Sequence, residues 1–284
     1  MPNNTDLEVY CSTGEGRSLA WSLGKPEDLS EASGGGVGIR VILSNGDGGR
    51  QGYAFTTGFN QASVEKAALG AMQSAKVLPK DKFRKLAAPS NKKNSVPNRV
   101  VDPKVFKENS KSLLDLLRSK EESILLDHKH LKSMIQGGFS ESLSSHALVN
   151  SKGIEDEFSG SHSSLGASFL AEKNGEHQEG GFGQSRRFGK DLSWDYIFGE
   201  AAQRTIALLG GKPLASGKMP VVFDPTVASE FLSLISDMIC ADTIQKGKSL
   251  FKGQIGNQVA SDLISIIDDG TLPEGLASSP TDDE

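Results

Sequence analysis

The sequence has few cysteines, few aromatic residues and no long apolar run. Its two cysteines, Cys11 and Cys240, stand far apart without a Cys-x-x-Cys spacing, which argues against a disulfide scaffold or a zinc knuckle. No stretch approaches the roughly 20 apolar residues that cross a bilayer. The first residues also lack the basic and apolar regions of a secretion signal. We therefore expect a cytoplasmic protein with no membrane partner.

Positive charge is sparse as well. The formal net charge is −5 at pH 7, whereas a surface that binds phosphates normally shows clustered lysine and arginine. This balance argues against a nucleic-acid partner. The one basic run, residues 80–93, is interpreted as part of a solvated linker.

Glycine, in contrast, is abundant: the 284 residues include 32 glycines, and only 36% are hydrophobic. This composition is typical of a loop-rich protein that contains β-structure. Alternating or β-rich segments at residues 7–10, 18–23, 37–43 and 50–56 predict strands, with a hairpin turn at Ser44-Asn-Gly-Asp-Gly-Gly. Apolar residues at helical spacing predict a helix over residues 60–78. Residues 1–79 are therefore predicted to form a two-layer domain of a sheet and a helix.

The rest of the chain predicts a second and a third unit. Residues 80–102 are rich in Lys, Asn, Ser and Pro, which indicates a linker or an extended crossover. Residues 103–212 predict an antiparallel β-rich middle domain with flanking helices over 103–127 and 193–209. Its turns are expected at Gly137-Gly138, Asn150-Ser-Lys-Gly, Asn174-Gly175 and Gly180-Gly181.

A strand over residues 219–223 and an apolar helix over 227–244 predict that residues 213–284 begin a third, β-rich domain. The fold class predicted from these patterns is α+β.

The last part of the chain carries the most specific motifs. They are Gly217-Lys-Met-Pro-Val-Val-Phe-Asp-Pro, the segment from Lys248 to Ser261, and the segment from Ile266 to Glu284. This series resembles the TldD/PmbA family, and Gly275-Leu-Ala-Ser-Ser-Pro is more similar to its PmbA (TldE) branch. The family pattern continues beyond Asp-Asp-Glu284, so we expect the chain to be the N-terminal portion of a longer protein.

The resemblance implies a position for a zinc site. The enzymatic branch of the family carries a His-Glu-x-x-x-His helix before a Lys-Gly-x-Ser-x-Phe-x-Gly segment. Alignment of that segment with residues 246–253 places the two histidines at Leu232 and Asp237 and the glutamate at Ser233. Two imidazoles and a general base are what this chemistry requires. We therefore predict no metal, cofactor or catalytic residue in this chain, and expect zinc only in a TldD-like partner.

Two glycine-rich segments do not fit known nucleotide-binding motifs. Gly34-Gly-Gly-Val-Gly lacks the ending of a phosphate loop, and Gly181-Phe-Gly-Gln-Ser-Arg lacks the third glycine of a dinucleotide fingerprint. Arg186 and Arg187 are the best candidates for contact with a peptide or a partner, because guanidinium groups bind carboxylates bidentately. An exposed pair in a β-turn explains them nearly as well.

The resemblance implies a non-catalytic PmbA/TldE-like subunit that associates with a TldD-like zinc metallopeptidase. Such a system would act on unfolded peptides, in peptide maturation or antitoxin turnover. The alternative is a non-proteolytic peptide-binding or structural module, or a decayed fragment.

Overall fold

The computed structural model describes residues 4–44, 48–89 and 96–280, and the chain divides into two compact units. The first unit comprises Met1–Gly211 together with Asp269–Glu284, and the second comprises Lys212–Asp268. Both helices and strands are present, which confirms the α+β class. No helix in the described ranges combines the length and the apolar character that a bilayer-spanning segment requires.

The first unit is built on one sheet. Its strands are β1 (Thr5–Ser22), β2 (Lys25–Ser44), β3 (Gly49–Thr56), β4 (Arg99–Val100), β5 (Leu131–Asn150), β6 (Glu155–Lys173) and β7 (Glu176–Arg186). They lie in the order β3-β2-β1-β5-β6-β4, and β7 also pairs with β6. Among the strands that the structure describes, only the short β4 runs parallel to its neighbour. The helices are α1 (Gln61–Val77), α2 (Ser110–Asp127) and α3 (Trp194–Ala207), and the second unit contains α4 (Pro225–Ile239) and α5 (Ala241–Gln245).

The sheet continues across the boundary that the sequence predicts between the first two domains. β1 pairs with β5 from Glu8 opposite Asn150 to Trp21 opposite Gly137. Within the described part of residues 80–102, Leu86, Val96 and Val100 are buried. This segment therefore packs against the rest of the first unit, as an extended crossover would. The predicted domain boundaries at residues 79, 102 and 212 stay a prediction.

The first of two main cores lies between α1 and the start of the sheet. Ala67, Ala71 and Ala75 of α1 are buried against β2 residues such as Ile39. The helix approaches β3 so closely that a Cβ atom on Gly52 would lie 1.9 Å from the carbonyl oxygen of Ala71. The close approach is possible because β3 has glycine and α1 has alanine at the point of contact.

The second core is larger and lies under α2 and α3. It joins both helices to β1, β5 and β6 through buried apolar side chains, including Leu19, Leu117, Met134, Phe169 and Phe198. Trp21 packs here and its indole Nε1–H donates to a carboxylate oxygen of Glu121 at 2.5 Å. The same carboxylate accepts a hydrogen bond from the backbone N–H of Met134 at 3.3 Å, so its burial is compensated.

Two predicted turns are wrong because their glycines lie inside strands. Gly137 and Gly138 belong to β5, and Gly180 and Gly181 belong to β7. A Cβ atom on Gly180 would lie 2.9 Å from Cα of Thr205 in α3, so glycine serves close packing here.

The other turns of the middle region are confirmed. Gly153 has φ of 96°, and Asn174 and Gly175 have φ of 54° and 81°, values that favour Asn and Gly. Most of the turn predicted after Ser44, residues 45–47, lies outside the described residues.

The helix predicted over 103–127 begins later than expected, at Ser110. The side chain of Asn109 accepts a hydrogen bond from the N–H of Ser112 at 2.8 Å and so caps α2. Upstream, the carboxylate of Asp102 accepts the N–H of Lys104 at 2.8 Å, which holds a turn instead of a helix.

The second unit is helical where it has regular structure. The strand predicted over 219–223 is wrong: this segment has no regular secondary structure. A strand needs a neighbour for its backbone groups, and the described residues of this unit include none. The predicted helix over 227–244 is divided, because Cys240 adopts an extended ψ of 131° between α4 and α5.

Candidate functional site

The positions aligned with the family zinc site lie on α4. This helix starts with Asp224 as its N-cap, whose carboxylate accepts the N–H of Val227 at 3.0 Å. Leu232 is half exposed, and Ser233 and Asp237 are exposed. The hydroxyl of Ser233 donates to the carbonyl oxygen of Ser229 at 3.1 Å. The helical placement expected for these positions is therefore present.

The side chains at these positions do not fit zinc. Zinc in proteins is bound by nitrogen, sulfur and carboxylate oxygen atoms, and Leu232 carries none of them. Asp237 alone offers a carboxylate. The described part of the chain contains no group of three or more His, Cys, Asp and Glu side chains arranged to hold a metal ion.

Arg186 and Arg187 stand side by side at the end of β7 but face different surroundings. Arg186 is exposed, and its Nη1 donates to the carbonyl oxygen of Ser185 at 2.8 Å. Arg187 is buried, and its Nε and Nη2 donate to the carbonyl oxygens of Gly275 and Ser278 at 2.9 and 3.0 Å. Only Arg186 is open to a ligand, and its role in peptide or partner contact stays a prediction.

Arg187 fastens the Gly275-Leu-Ala-Ser-Ser-Pro motif to the sheet. Its guanidinium carbon lies 5.6 Å from the centre of the Phe158 ring, a cation–π contact. A Cβ atom on Gly160 would lie 2.5 Å from Nη1, so the glycine makes room for the guanidinium. Burial lowers the pKa of Arg187, but an arginine stays charged at neutral pH.

A second polar network holds the backbone of Arg187. The hydroxyl of Ser161 accepts the N–H of Asp102 at 2.7 Å and donates to the carbonyl oxygen of Arg187 at 2.8 Å. The carboxylate of Asp102 accepts the N–H of Gly189 at 2.7 Å. Asp102 and Ser161 are thus central to this region, although no motif in the sequence singles them out.

A cleft of about 670 Å³ opens between the two cores. Its floor consists of small residues of β1, β2 and β5, including Gly14, Gly34 and Ser145. Phe59 forms one wall and the exposed carboxylate of Glu15 lies beside it. A few residues further along β1 and β5, Arg17 and Glu141 form a buried ion pair at 2.5 Å. That pair also takes part in hydrogen bonds with Ser110 and the N–H of Phe106, so its charges are compensated within the fold.

Comparison with known protein families gives three matches that follow one another along the chain. Sequence models of the PmbA/TldA metallopeptidase match as domain 1 over residues 7–75, as central domain over 104–209 and as C-terminal domain over 216–284. The chain belongs to the PmbA/TldD metallopeptidase family. The motifs after Ser216, on which the resemblance depends most, lie inside the third match.

Several curated members of the family are similar over nearly the whole chain. A metalloprotease of Methanocaldococcus jannaschii is 25% identical, with 98% of this chain and 61% of the relative covered. Metalloprotease PmbA of Escherichia coli O157:H7 is 24% identical, with 98% and 61% covered. A TldD homologue of Haemophilus influenzae is 27% identical, with 88% and 52% covered. The chain thus spans about three fifths or less of the length of these relatives.

Solved structures show the same fold. A Thermotoga maritima protein described as a modulator of a DNA gyrase superposes with a TM-score of 0.84 at 24% identity, covering 99% of this chain and 62% of that one. TldE from Thermococcus kodakarensis superposes with a TM-score of 0.73 at 18% identity, covering 88% and 55%.

Proposed function

We propose that this chain acts as a PmbA/TldE-like subunit of a TldD-type metallopeptidase system and that a TldD-like partner supplies the zinc. The observation that carries the proposal is the donor set on α4. In the alignment that the resemblance implies, a ligand position falls on Leu232, whose side chain has no donor atom, and the position of the general base falls on Ser233. A hydroxyl is a far weaker base than a carboxylate, so neither metal binding nor water activation is supported at this position.

The chain would be a non-catalytic subunit of a cytoplasmic proteolytic complex and would form part of the surface that contacts the peptide. The ligand would be an unfolded peptide, which is processed in maturation or turnover. The similarity to metalloprotease PmbA and to TldE is compatible with this assignment, and it supports membership of the family as a whole. Arg186 is the side chain at the end of β7 that remains available to a carboxylate of a peptide or partner.

The first test is metal content. The chain, dialysed against zinc-containing buffer and then freed of loose metal, should hold far less than one zinc per chain by elemental analysis. It should also hydrolyse no unfolded casein. One tightly held zinc per chain with chelator-sensitive hydrolysis would overturn the proposal, because it would require ligands that α4 does not offer.

The second test adds a TldD-like protein that carries the His-Glu-x-x-x-His motif. We expect the two chains to elute together in size-exclusion chromatography and casein hydrolysis to depend on the partner's zinc. The control is the partner with its own general-base glutamate replaced by glutamine, which should still bind but not cleave. Failure of the chains to associate would favour the alternative, a non-proteolytic peptide-binding or structural module.

A further inference from the structure

The first half of β2 has an open outer edge. β1 pairs with β2 from one end to the other, whereas β3 pairs with it only from Val37 to Ser44. Residues 25–34 are all exposed, and on their outer side they make no backbone hydrogen bond with any other described segment. In an antiparallel strand every second residue directs its N–H and C=O outward. This edge therefore presents unpaired backbone groups over about ten residues, a length of roughly 33 Å.

The charges along this edge determine what can pair with it. Glu27, Asp28 and Glu31 lie on the open part of β2, where Lys25 is the one basic residue. The exposed Glu15 lies on the neighbouring β1. Two copies of this edge would place carboxylates against carboxylates, which is unfavourable for directly opposed strand residues. A segment with lysine or arginine would instead meet opposite charges.

The open edge leads to the cleft between the two cores. β3 ends at Thr56, and Phe59 then lies so close to Gly35 that a Cβ atom there would be 2.9 Å from its ring. The cleft of about 670 Å³ begins at this point and includes Gly34 and Glu15 in its lining. A strand that continued the line of β3 along β2 would therefore have one end at a space large enough for a long side chain.

We propose that residues 25–34 of β2 bind an extended peptide rich in lysine or arginine, which adds to the sheet as a further strand. Main-chain hydrogen bonds give the affinity in this mode of recognition, and side chains tune it. The inference relies on the proposed function only in that the ligand is an unfolded peptide. It requires neither zinc nor a partner subunit, so it is tested on this chain alone.

Three fluorescent peptides of about ten residues test the mode of binding, because that length matches the open edge. The first alternates lysine with threonine and valine, the second has glutamate in place of each lysine, and the third is the basic peptide with alternate backbone nitrogens methylated on its pairing edge. Fluorescence anisotropy should show salt-sensitive binding of the first peptide and at least about tenfold weaker binding of the other two. Equal binding of the methylated peptide would overturn strand addition.

Charge-reversed variants test the location. E27K/D28K/E31K should weaken binding of the basic peptide by about tenfold or more, because the new lysines repel it. The control, E65K/E122K/E179K, changes the net charge equally at exposed sites on α1, α2 and β7 and should bind like the unchanged chain. Equal loss in both variants would attribute binding to net charge and overturn the site.

Hydrogen exchange identifies the residues involved. In the free chain, about half of the amides of residues 25–34 should exchange fast, and saturating basic peptide should protect them. Protection confined to another segment would refute the proposal. So would protection that appears without peptide and grows with protein concentration, since a second copy would then occupy the edge. Charged edge residues can also serve only to prevent aggregation, and in that case the basic peptide would not bind.

Discussion

Two neighbouring arginines, Arg186 and Arg187, differ in burial and are therefore expected to differ in their contribution to stability. Arg187 donates to two backbone carbonyls of the Gly275 motif, whereas the exposed Arg186 donates to the adjacent Ser185 carbonyl. We expect R187A to lower the free energy of unfolding by about 2 kcal/mol, since it leaves the carbonyls of Gly275 and Ser278 without this donor. R186A should change it by no more than about 0.5 kcal/mol. Denaturant titrations of the two variants measure this difference.

A substitution at Gly160, which lies against the guanidinium of Arg187, perturbs the same contact in a second way. In G160A the new methyl group would collide with Nη1 and displace the guanidinium without removing its charge. Its cost should be about 1–3 kcal/mol and should shrink when G160A is combined with R187A, because the same contact is lost in both. Full additivity in the double variant would show that Gly160 and Arg187 act separately. Hydrogen exchange of residues 270–280 should increase in each single variant.

At the scale of elements, the contact between α1 and β3 depends on the absence of a side chain. The Cβ atom of G52A would lie 1.9 Å from the Ala71 oxygen and 2.4 Å from the Ala75 nitrogen, both backbone atoms. The helix must move to accept it, so we expect a loss of about 3 kcal/mol in unfolding free energy. The matched control is G14A, whose nearest contact is 3.8 Å away. Thermal unfolding of that variant should be unchanged or slightly improved, since alanine is favoured over glycine in a strand. Equal loss in both would show that strand glycines matter here for another reason.

The elements that the sequence predicts best are those with local signals. α1 and α3 begin at capping residues, Asn60 and Ser193, whose side chains accept N–H groups at 2.9 and 3.3 Å. The turns at Gly153 and Gly175 have the positive φ that glycine permits. These features depend on a few adjacent residues, and a sequence therefore shows them directly.

The features that the sequence did not predict depend on distant partners. Glycine at 137 and 180 indicates a turn when read locally, but each lies in a long strand that packs closely against other residues. The network of Asp102, Ser161 and Arg187 joins residues that are 59 and 26 positions apart in the sequence. The aligned positions Leu232, Ser233 and Asp237 came from the family resemblance, and the structure adds their place on a helix.

At the scale of the whole molecule, the second unit presents many apolar side chains to solvent. Val222, Ile255 and Leu263 are exposed to 96, 97 and 94%. Apolar surface of this extent drives association, so the chain should self-associate at high concentration. The variant V222K/I255K/L263K should scatter less light at equal concentration while its first unit keeps the same unfolding temperature. The control K212R/K218R/K248R keeps charge and polarity on the same unit and should associate like the unchanged chain. A monomeric unchanged chain would contradict the prediction.

The pairing of β1 with β5 also determines when this part of the sheet can form during synthesis of the chain. β1 is complete at Ser22, but β5 begins only at Leu131, so 109 residues, the difference of these positions, must be made before the pair can start to form. At translation rates of about 5–20 residues per second this takes roughly 5–22 seconds. During that interval Leu19 and Trp21 have no partner from β5 and their hydrophobic surface is open to other chains. A nascent chain arrested before Leu131 would therefore hold the first hairpin without the strand that pairs with the other edge of β1.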